Sequence, residues 1–522
     1  MMKLLLLTSL ASATLAAVPM RRQTDCSHLT APHVPGAKVL SINATERWNY
    51  SVPATPPFLL SPVQDLNICD VTVLLTHAGS QDQVTVKVWL PLQNWNGRFQ
   101  ANGGSGYVAG EFDLTLGPTV NDGYSSASTD AGVGFDFLSP GAWALDADGS
   151  VNFDALVDFS YRSVHDVAVV GKEITKQFYG TRPKYSYWNG CSTGGRQGMA
   201  AAQRYPKLFD GILAGAPAIN WAKYVVGEQW PQVVMQQEQT FPSTCELKFF
   251  SDAAINECDE LDGVKDGIIT DPGKCSYDPL QSVGQVVQCD GQNITITNST
   301  ATIVKKTLQG PLDPSGERLW YGLNFGAPLD SLVNTTTTND GTRTGFPFFV
   351  NDQWIKYFLA RDPNYNTEAI DYDTFLDLFW QSYTEYNDII GTDDADLSSF
   401  HHHGGKLLMW QGLSDQLIAP GGTIDYRDRV ECLMGGADRT NDFFRLFFAP
   451  GVDHCGAGST IGATPNDPFK ALVDWVEQGQ APDLIPATVN DETKAERIIC
   501  AYPQVATYQG GDADSAASFT CV

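Results

Sequence analysis

At 522 residues, 43% hydrophobic and 18% charged, the chain suits one large domain with a sizeable insertion, or two domains. Its 60 acidic and 33 basic residues leave a formal charge of −27. That charge repels nucleic acid and anionic membrane surfaces, so neither is an expected partner.

Residues 1–17 combine one lysine, the apolar run Leu4-Leu5-Leu6-Leu7 and a small-residue tail. They predict a secretory signal peptide, which is too short for a membrane span and stands apart from the fold. Arg21-Arg22 before Gln23 suggests a dibasic processing site. Sequons at Asn43, Asn49, Asn293, Asn298 and Asn334 fit a secreted, extracellular glycoprotein. Eleven cysteines in such a chain predict disulfides with one thiol left over. Sequence alone leaves the pairing open. The local candidates are Cys26 with Cys69, Cys258 with Cys275, and Cys500 with Cys521, while Cys245, Cys289 and Cys432 stay unassigned.

Residues 18–220 read as the first part of an α/β core. Strands are predicted over 71–75 and 83–90, followed by the glycine-rich Asn102-Gly103-Gly104-Ser105-Gly106 and a helix over 156–178. An aromatic strand, Tyr185-Ser186-Tyr187-Trp188, then runs into Gly190-Cys191-Ser192-Thr193-Gly194, which fits G-x-S-x-G, and a helix begins at once. A sharp strand-to-helix turn needs small residues on both sides and exposes one hydroxyl. Another buried strand is expected within 209–217. From 221 to 397 the βαβ rhythm disappears into a cysteine cluster, three sequons and aromatic helices, which predicts an inserted lid long enough for a small core of its own. Residues 398–522 resume the core with strands over 406–410 and 443–448 and a helix over 470–478. This alternation argues for a parallel sheet covered by helices.

A serine hydroxyl needs a histidine to take its proton and a carboxylate to hold the imidazolium. Asp415 follows the strand over 406–410, and His454 follows the next strand. Ser192, Asp415 and His454 therefore stand at strand ends in the chain order nucleophile, acid, base. Asp453 is adjacent to His454 and poorly placed to reach its Nδ1. His28, His33, His77 and His165 precede the nucleophile, and His401-His402-His403 precede a strand and read as a solvated loop. Backbone N–H groups of Thr193 and of Gly103 or Gly104 are the expected oxyanion donors. Cys191 precedes Ser192 and Cys455 follows His454, so contact between nucleophile and base brings these cysteines within disulfide reach. In the lid, carboxylates at Asp259, Asp262 and Asp266 alternate with glycines in a loop that Cys258 and Cys275 would close. Such a loop predicts a structural calcium site, without EF-hand spacing.

At these residues the sequence resembles the tannase and feruloyl esterase family of secreted ester hydrolases. The resemblance rests on Gly190-Cys191-Ser192-Thr193-Gly194-Gly195-Arg196-Gln197-Gly198, Asp415, the pair His454-Cys455 and the acidic loop. It implies an α/β-hydrolase core with a large inserted lid over Ser192. It also implies calcium held by Asp259, Asp262 and Asp266 with the carbonyls of Val264 and Ile268. One departure is Cys289, which lacks the short-range partner usual in the family. The implied function is a serine esterase cleaving phenolic esters, such as feruloyl groups on plant cell-wall polysaccharide. Galloyl esters, as for a tannase, are the alternative. A catalytically silent binding protein is the alternative of another class, and it has no need to retain all three of Ser192, Asp415 and His454.

Overall fold

A nine-stranded sheet runs through the protein and places its candidate chemistry at the carboxyl ends of its parallel strands. The computed structural model describes residues 24–56, 59–289 and 291–522. The signal segment 1–17 and the Arg21-Arg22 pair lie outside the described residues. The strands are β1 (Ala37–Val52), β2 (Val63–His77), β3 (Val84–Pro91), β4 (Arg98–Asn102), β5 (Ser125–Thr129), β6 (Tyr185–Cys191), β7 (Gly211–Gly215), β8 (Lys406–Gly412) and β9 (Phe444–Ala449). Their spatial order is β1-β2-β3-β5-β4-β6-β7-β8-β9. The first three pair antiparallel, and β5 through β9 pair parallel in that spatial order. This is the α/β-hydrolase fold.

Burial explains how the strands read in sequence. Every residue of β7 is buried, as expected for a short run in a parallel sheet covered on both faces. Val84, Val86, Val88 and Leu90 of β3 alternate into the core against α1 (Ser163–Tyr179). The helix predicted over 156–178 is interrupted. Phe153–Val157 passes through a π turn at Asp158–Arg162 before α1 begins. A π turn disturbs the regular i→i−4 ladder, and here the buried Arg196 donates to the Ser160 and Phe159 carbonyls from α2 (Thr193–Arg204).

Segment 221–397 contains the helices Trp221–Gly227, Trp230–Glu238, Thr244–Cys258, Asn298–Gln309 and Tyr372–Ile390, with two short hairpins. Its apolar interior is not separate from the first part of the chain. Trp221, Trp230, Trp320, Trp354 and Tyr386 share one cluster with Tyr107, Trp143 and Phe159. The Trp221 ring stands 5.9 Å from Tyr107 and 6.1 Å from Phe159, edge-on to both. Such packing adds to the burial of large aromatic surfaces. The expectation of an independent lid core thus gives way to a shared one.

Five disulfides join Cys26 to Cys69, Cys191 to Cys455, Cys245 to Cys289, Cys258 to Cys275 and Cys500 to Cys521. Cys289 therefore finds its partner in the helix Thr244–Cys258, 44 residues earlier in sequence, and Cys432 is the exposed free thiol. Asn43, Asn49, Asn293 and Asn298 are exposed, and Asn334 is half-buried.

Candidate active site

Ser192 sits between β6 and α2 with φ 59° and ψ −122°. Such a conformation costs a non-glycine residue on the order of 1–3 kcal/mol and persists only where its surroundings enforce it. The enforcement is backbone crowding. A Cβ at Gly190 would lie 2.5 Å from the Gly194 carbonyl carbon, and one at Gly195 would lie 2.5 Å from the Gly215 oxygen. Trp188 Nε1 donates to the Gly194 carbonyl at 2.9 Å, which fixes the first turn of the helix.

Asp415 lies just past β8 and is fully buried. Its Oδ1 accepts from the N–H groups of Leu417 and Ile418 at 3.0 and 2.9 Å. Its Oδ2 accepts from Gln411 Nε2 at 3.2 Å and lies 2.9 Å from His454 Nδ1. The carboxylate is thus held from several sides and presents one oxygen to the imidazole. Gln416 Oε1 accepts the His454 N–H at 2.9 Å and anchors the loop after β9. Burial disfavours the charged ring, but the Asp415 carboxylate and its hydrogen bond outweigh this. With a smaller contribution from Asp453, they raise the His454 pKa above the ordinary histidine value. Asp453 itself accepts from the N–H and hydroxyl of Ser459, so it is engaged away from the ring.

The Cys191–Cys455 bond brings the two loops together, with Cα atoms 6.0 Å apart. Ser192 and His454 are the immediate neighbours of the joined cysteines, so the bond sets how far the hydroxyl can drift from the ring.

The glycine loop after β4 departs from expectation. The Gly103 N–H goes to the Asn189 carbonyl at 3.0 Å, and the Gly104 N–H goes to Gln197 Oε1 at 3.1 Å. Gly104 therefore does not offer its N–H to a substrate. These positions need glycine because a Cβ on Gly103 would lie 2.5 Å from Gly194 Cα, and one on Gly104 would lie 2.2 Å from the Val108 oxygen. Gly104 contributes instead by accepting the Gly194 N–H at 2.9 Å, while Thr193 Oγ1 donates to the Gly106 carbonyl at 2.7 Å. Thr193 opens α2, so its own N–H has no acceptor within the helix. The role of Gln197 carried no signal in sequence beyond its place in the elbow motif.

The acidic lid loop turns at Gly263 and Gly267, both with positive φ. Asp259 Oδ1 accepts from the N–H groups of Asp266 and Gly267, and Asp262 Oδ1 accepts from Val264. Asp266 Oδ2 accepts from Arg497 at 2.7 Å. Carboxylates and carbonyls are the all-oxygen chemistry a hard cation takes, but Asp259, Asp262 and Asp266 do not bring one oxygen each within 4.8 Å of the other two. His401 and His402 lie in a short helix, Ser398–His402, rather than a loop, and His402 and His403 are exposed.

A cavity of about 370 Å³ lies between the lid helix Thr244–Cys258 and the core loops. Its lining includes Leu247, Ile255, Ser414, Gly451 and Ser459. It adjoins the loops of Asp415 and His454 without being lined by Ser192.

The profile of the family described as tannase and feruloyl esterase matches residues 69–522. The chain belongs to the tannase and feruloyl esterase family. It is a carboxylic ester hydrolase. Among its relatives is a protein of Arthroderma benhamiae named "Probable feruloyl esterase", 46% identical over 97% of this chain and 95% of that protein. The "Tannase" of Aspergillus oryzae is 29% identical over 87% of this chain and 84% of its own length. Among solved structures, the tannin acyl hydrolase from Aspergillus niger superposes with a TM-score of 0.85 at 26% identity, covering 94% of this chain and 92% of that one. Feruloyl esterase B from Aspergillus oryzae gives 0.76 at 26% identity, covering 94% and 97%.

Proposed function

We propose that this family member is a secreted serine esterase that hydrolyses hydroxycinnamoyl esters, feruloyl esters among them, through a Ser192–His454–Asp415 triad. The observation that carries the triad is the 2.9 Å contact between His454 Nδ1 and Asp415 Oδ2, with Cys455 after His454 disulfide-bonded to Cys191 before Ser192. Ser192 Oγ attacks the ester carbonyl carbon while His454 Nε2 takes its proton. Asp415 holds the ring in the tautomer with Nδ1 protonated and stabilises the imidazolium. The carbonyl oxygen becomes an oxyanion facing the Thr193 N–H. With Gly103 and Gly104 committed elsewhere, the N–H of Ser105 is the next donor in the loop. Collapse expels the alcohol, which takes the proton from His454 and leaves an acyl-enzyme. Water then repeats the sequence, releasing the acid and restoring Ser192.

The acyl preference rests on the 46% identity to the protein named as a feruloyl esterase. A galloyl preference is the second reading, favoured by the higher TM-score to the tannin acyl hydrolase. Substrate esters on plant cell-wall polysaccharide and glycans on Asn43, Asn49, Asn293, Asn298 and Asn334 belong to the same proposal of secretion. Asp259, Asp262 and Asp266, with the carbonyls of Val264 and Ile268, would hold calcium, which supplies charge neutralisation to the loop and takes no part in the chemistry.

A fluorophosphonate probe should label Ser192, and crystals of the adduct should place the phosphoryl oxygen within about 3.1 Å of the Thr193 and Ser105 nitrogens. Labelling elsewhere, or none, overturns the triad. Hydrolysis rates on methyl ferulate, caffeate, p-coumarate and gallate decide between the two acyl preferences.

A further inference from the structure

Outside the candidate active site, the described residues contain one group of histidine and carboxylate side chains close enough to share a metal ion: His77, Asp82 and Asp158. One ligand atom from each lies within 4.8 Å of the other two. His77 ends β2, Asp82 lies in the turn to β3, and Asp158 opens the π turn before α1. Chain positions 77, 82 and 158 thus meet where the antiparallel part of the sheet touches the helix layer.

His77 and Asp82 each have one polar atom held by the protein and another facing the shared space, and Asp158 brings its carboxylate to the same space. Asp82 Oδ1 accepts from Thr76 Oγ1 at 2.8 Å and from the His77 N–H at 2.9 Å, while Oδ2 faces His77 Nδ1. Asp158 Oδ1 is engaged by Arg162 Nε, and that oxygen lies 3.6 Å from His77 Nδ1. Asp158 is fully buried, yet its Oδ2 has no hydrogen-bond partner. A buried carboxylate oxygen without a partner is costly, and a bound cation removes that cost. His77 Nε2 lies 3.0 Å from Asp166 Oδ2, so its other nitrogen is left to face Asp82 and Asp158. Metal-bound histidines keep this arrangement, donating the far ring N–H to a carboxylate that fixes the tautomer.

Formal charge agrees with the geometry. Burial works against a charged ring, but the hydrogen bonds to Asp166 and Asp82 raise the His77 pKa to about 9, so an ion displaces the Nδ1 proton as it binds. With the ring then neutral, Asp82, Asp158 and Asp166 face Arg162 and leave two negative charges. His165 also approaches Asp166, from its Oδ1 side.

We propose that His77 Nδ1, Asp82 Oδ2 and the Asp158 carboxylate bind a divalent transition-metal ion of the zinc class, distinct from the calcium proposed for the lid. One imidazole nitrogen and two carboxylate oxygens suit such an ion, with water completing the tetrahedron. The ion would fasten the β2–β3 turn to the π turn, whose carbonyls also receive Arg196 from the nucleophile-bearing helix. Its role is positional, since none of its ligands belongs to the proposed triad.

The test uses the full-length, calcium-replete protein. Zinc is titrated in competition with a chromophoric chelator, and crystals grown with zinc are measured at the zinc absorption edge. A His402→Gln/His403→Gln background removes the exposed histidines as competing ligands. One tight equivalent of zinc should remain in that background and disappear in Asp158→Asn. Asp166→Asn should weaken it about 10- to 100-fold, the usual effect of losing an outer partner of a ligand histidine. An anomalous peak between His77 and Asp158 in the parent protein supports the proposal without any variant, should Asp158→Asn fail to fold. Absence of that peak, or a tight equivalent that persists in folded Asp158→Asn, overturns it.

Discussion

The sheet side of the molecule and the lid are held in different ways. Around Ser192, Asp415 and His454, backbone does the positioning: strand ends, crowded glycines, and N–H groups that grip a single carboxylate. In the lid, shape comes from tryptophan and tyrosine rings packed edge to face, and from an acidic loop closed by Cys258–Cys275. The contrast teaches where sensitivity should lie. Small changes on the sheet side should alter rate with little effect on folding, whereas changes in the lid should alter stability first.

The largest effect should come from Ser192→Ala or His454→Ala. Each should lower kcat by a factor on the order of 10⁴ or more, with Tm close to that of the parent. A large Tm loss in either variant would break the contrast, because it would make these side chains part of the scaffold.

Asp415→Asn comes next, with kcat falling about 10⁴-fold at most. The pH profile sharpens the reading. The base must be neutral, so with a raised His454 pKa the rise of kcat/KM with pH should fall above the ordinary histidine value of about 6.5. Removing the Asp415 charge should move that rise to lower pH. A rise at the same pH in parent and variant would reject the pairing.

Replacing Cys191 and Cys455 together by alanine should cut kcat by about a hundredfold, since an ångström of drift between nucleophile and base has effects of that size. The sheet still buries the same core, so the fall in Tm should be the smaller change. Parallel kinetics and calorimetry on the double variant would expose the opposite ranking.

On the lid side, chelation or Asp262→Ala should lower Tm while leaving kcat within a few-fold of the parent. Metal analysis is the decisive readout, and fully active, calcium-free protein would remove calcium from the account.

The placing of Ser192 at a strand-to-helix turn and of Asp415 and His454 just past strands was legible in sequence because each depends on local order: a strand, a tight turn and a small set of residue types. Other features depend on residues that only the fold brings together. Gly104 reads as an oxyanion donor until Gln197, 93 positions later, takes its N–H. Cys245 and Cys289 read as unassigned because their pairing is set where a lid helix meets a hairpin. The π turn at Asp158–Arg162 leaves no mark in the sequence, since neither glycine nor proline interrupts residues 153–162. His77 precedes the nucleophile in the chain, which rules it out of a triad order but says nothing about the carboxylates Asp82 and Asp166 that the fold brings to it.

The Cys191–Cys455 bond also makes the middle of the chain a covalent ring. Its ends are 264 residues apart in sequence, and it encloses the whole lid together with β7, β8 and β9. Residues 336–342 form an exposed hairpin turn inside that ring, the sort of site at which proteases cut first. Each of the other four disulfides lies wholly on one side of such a cut. A nicked molecule should therefore migrate as one species without reductant and as two with it. Until reduction, the fragment carrying Ser192 and the fragment carrying Asp415 and His454 remain a single molecule, tied by the cysteines next to Ser192 and His454.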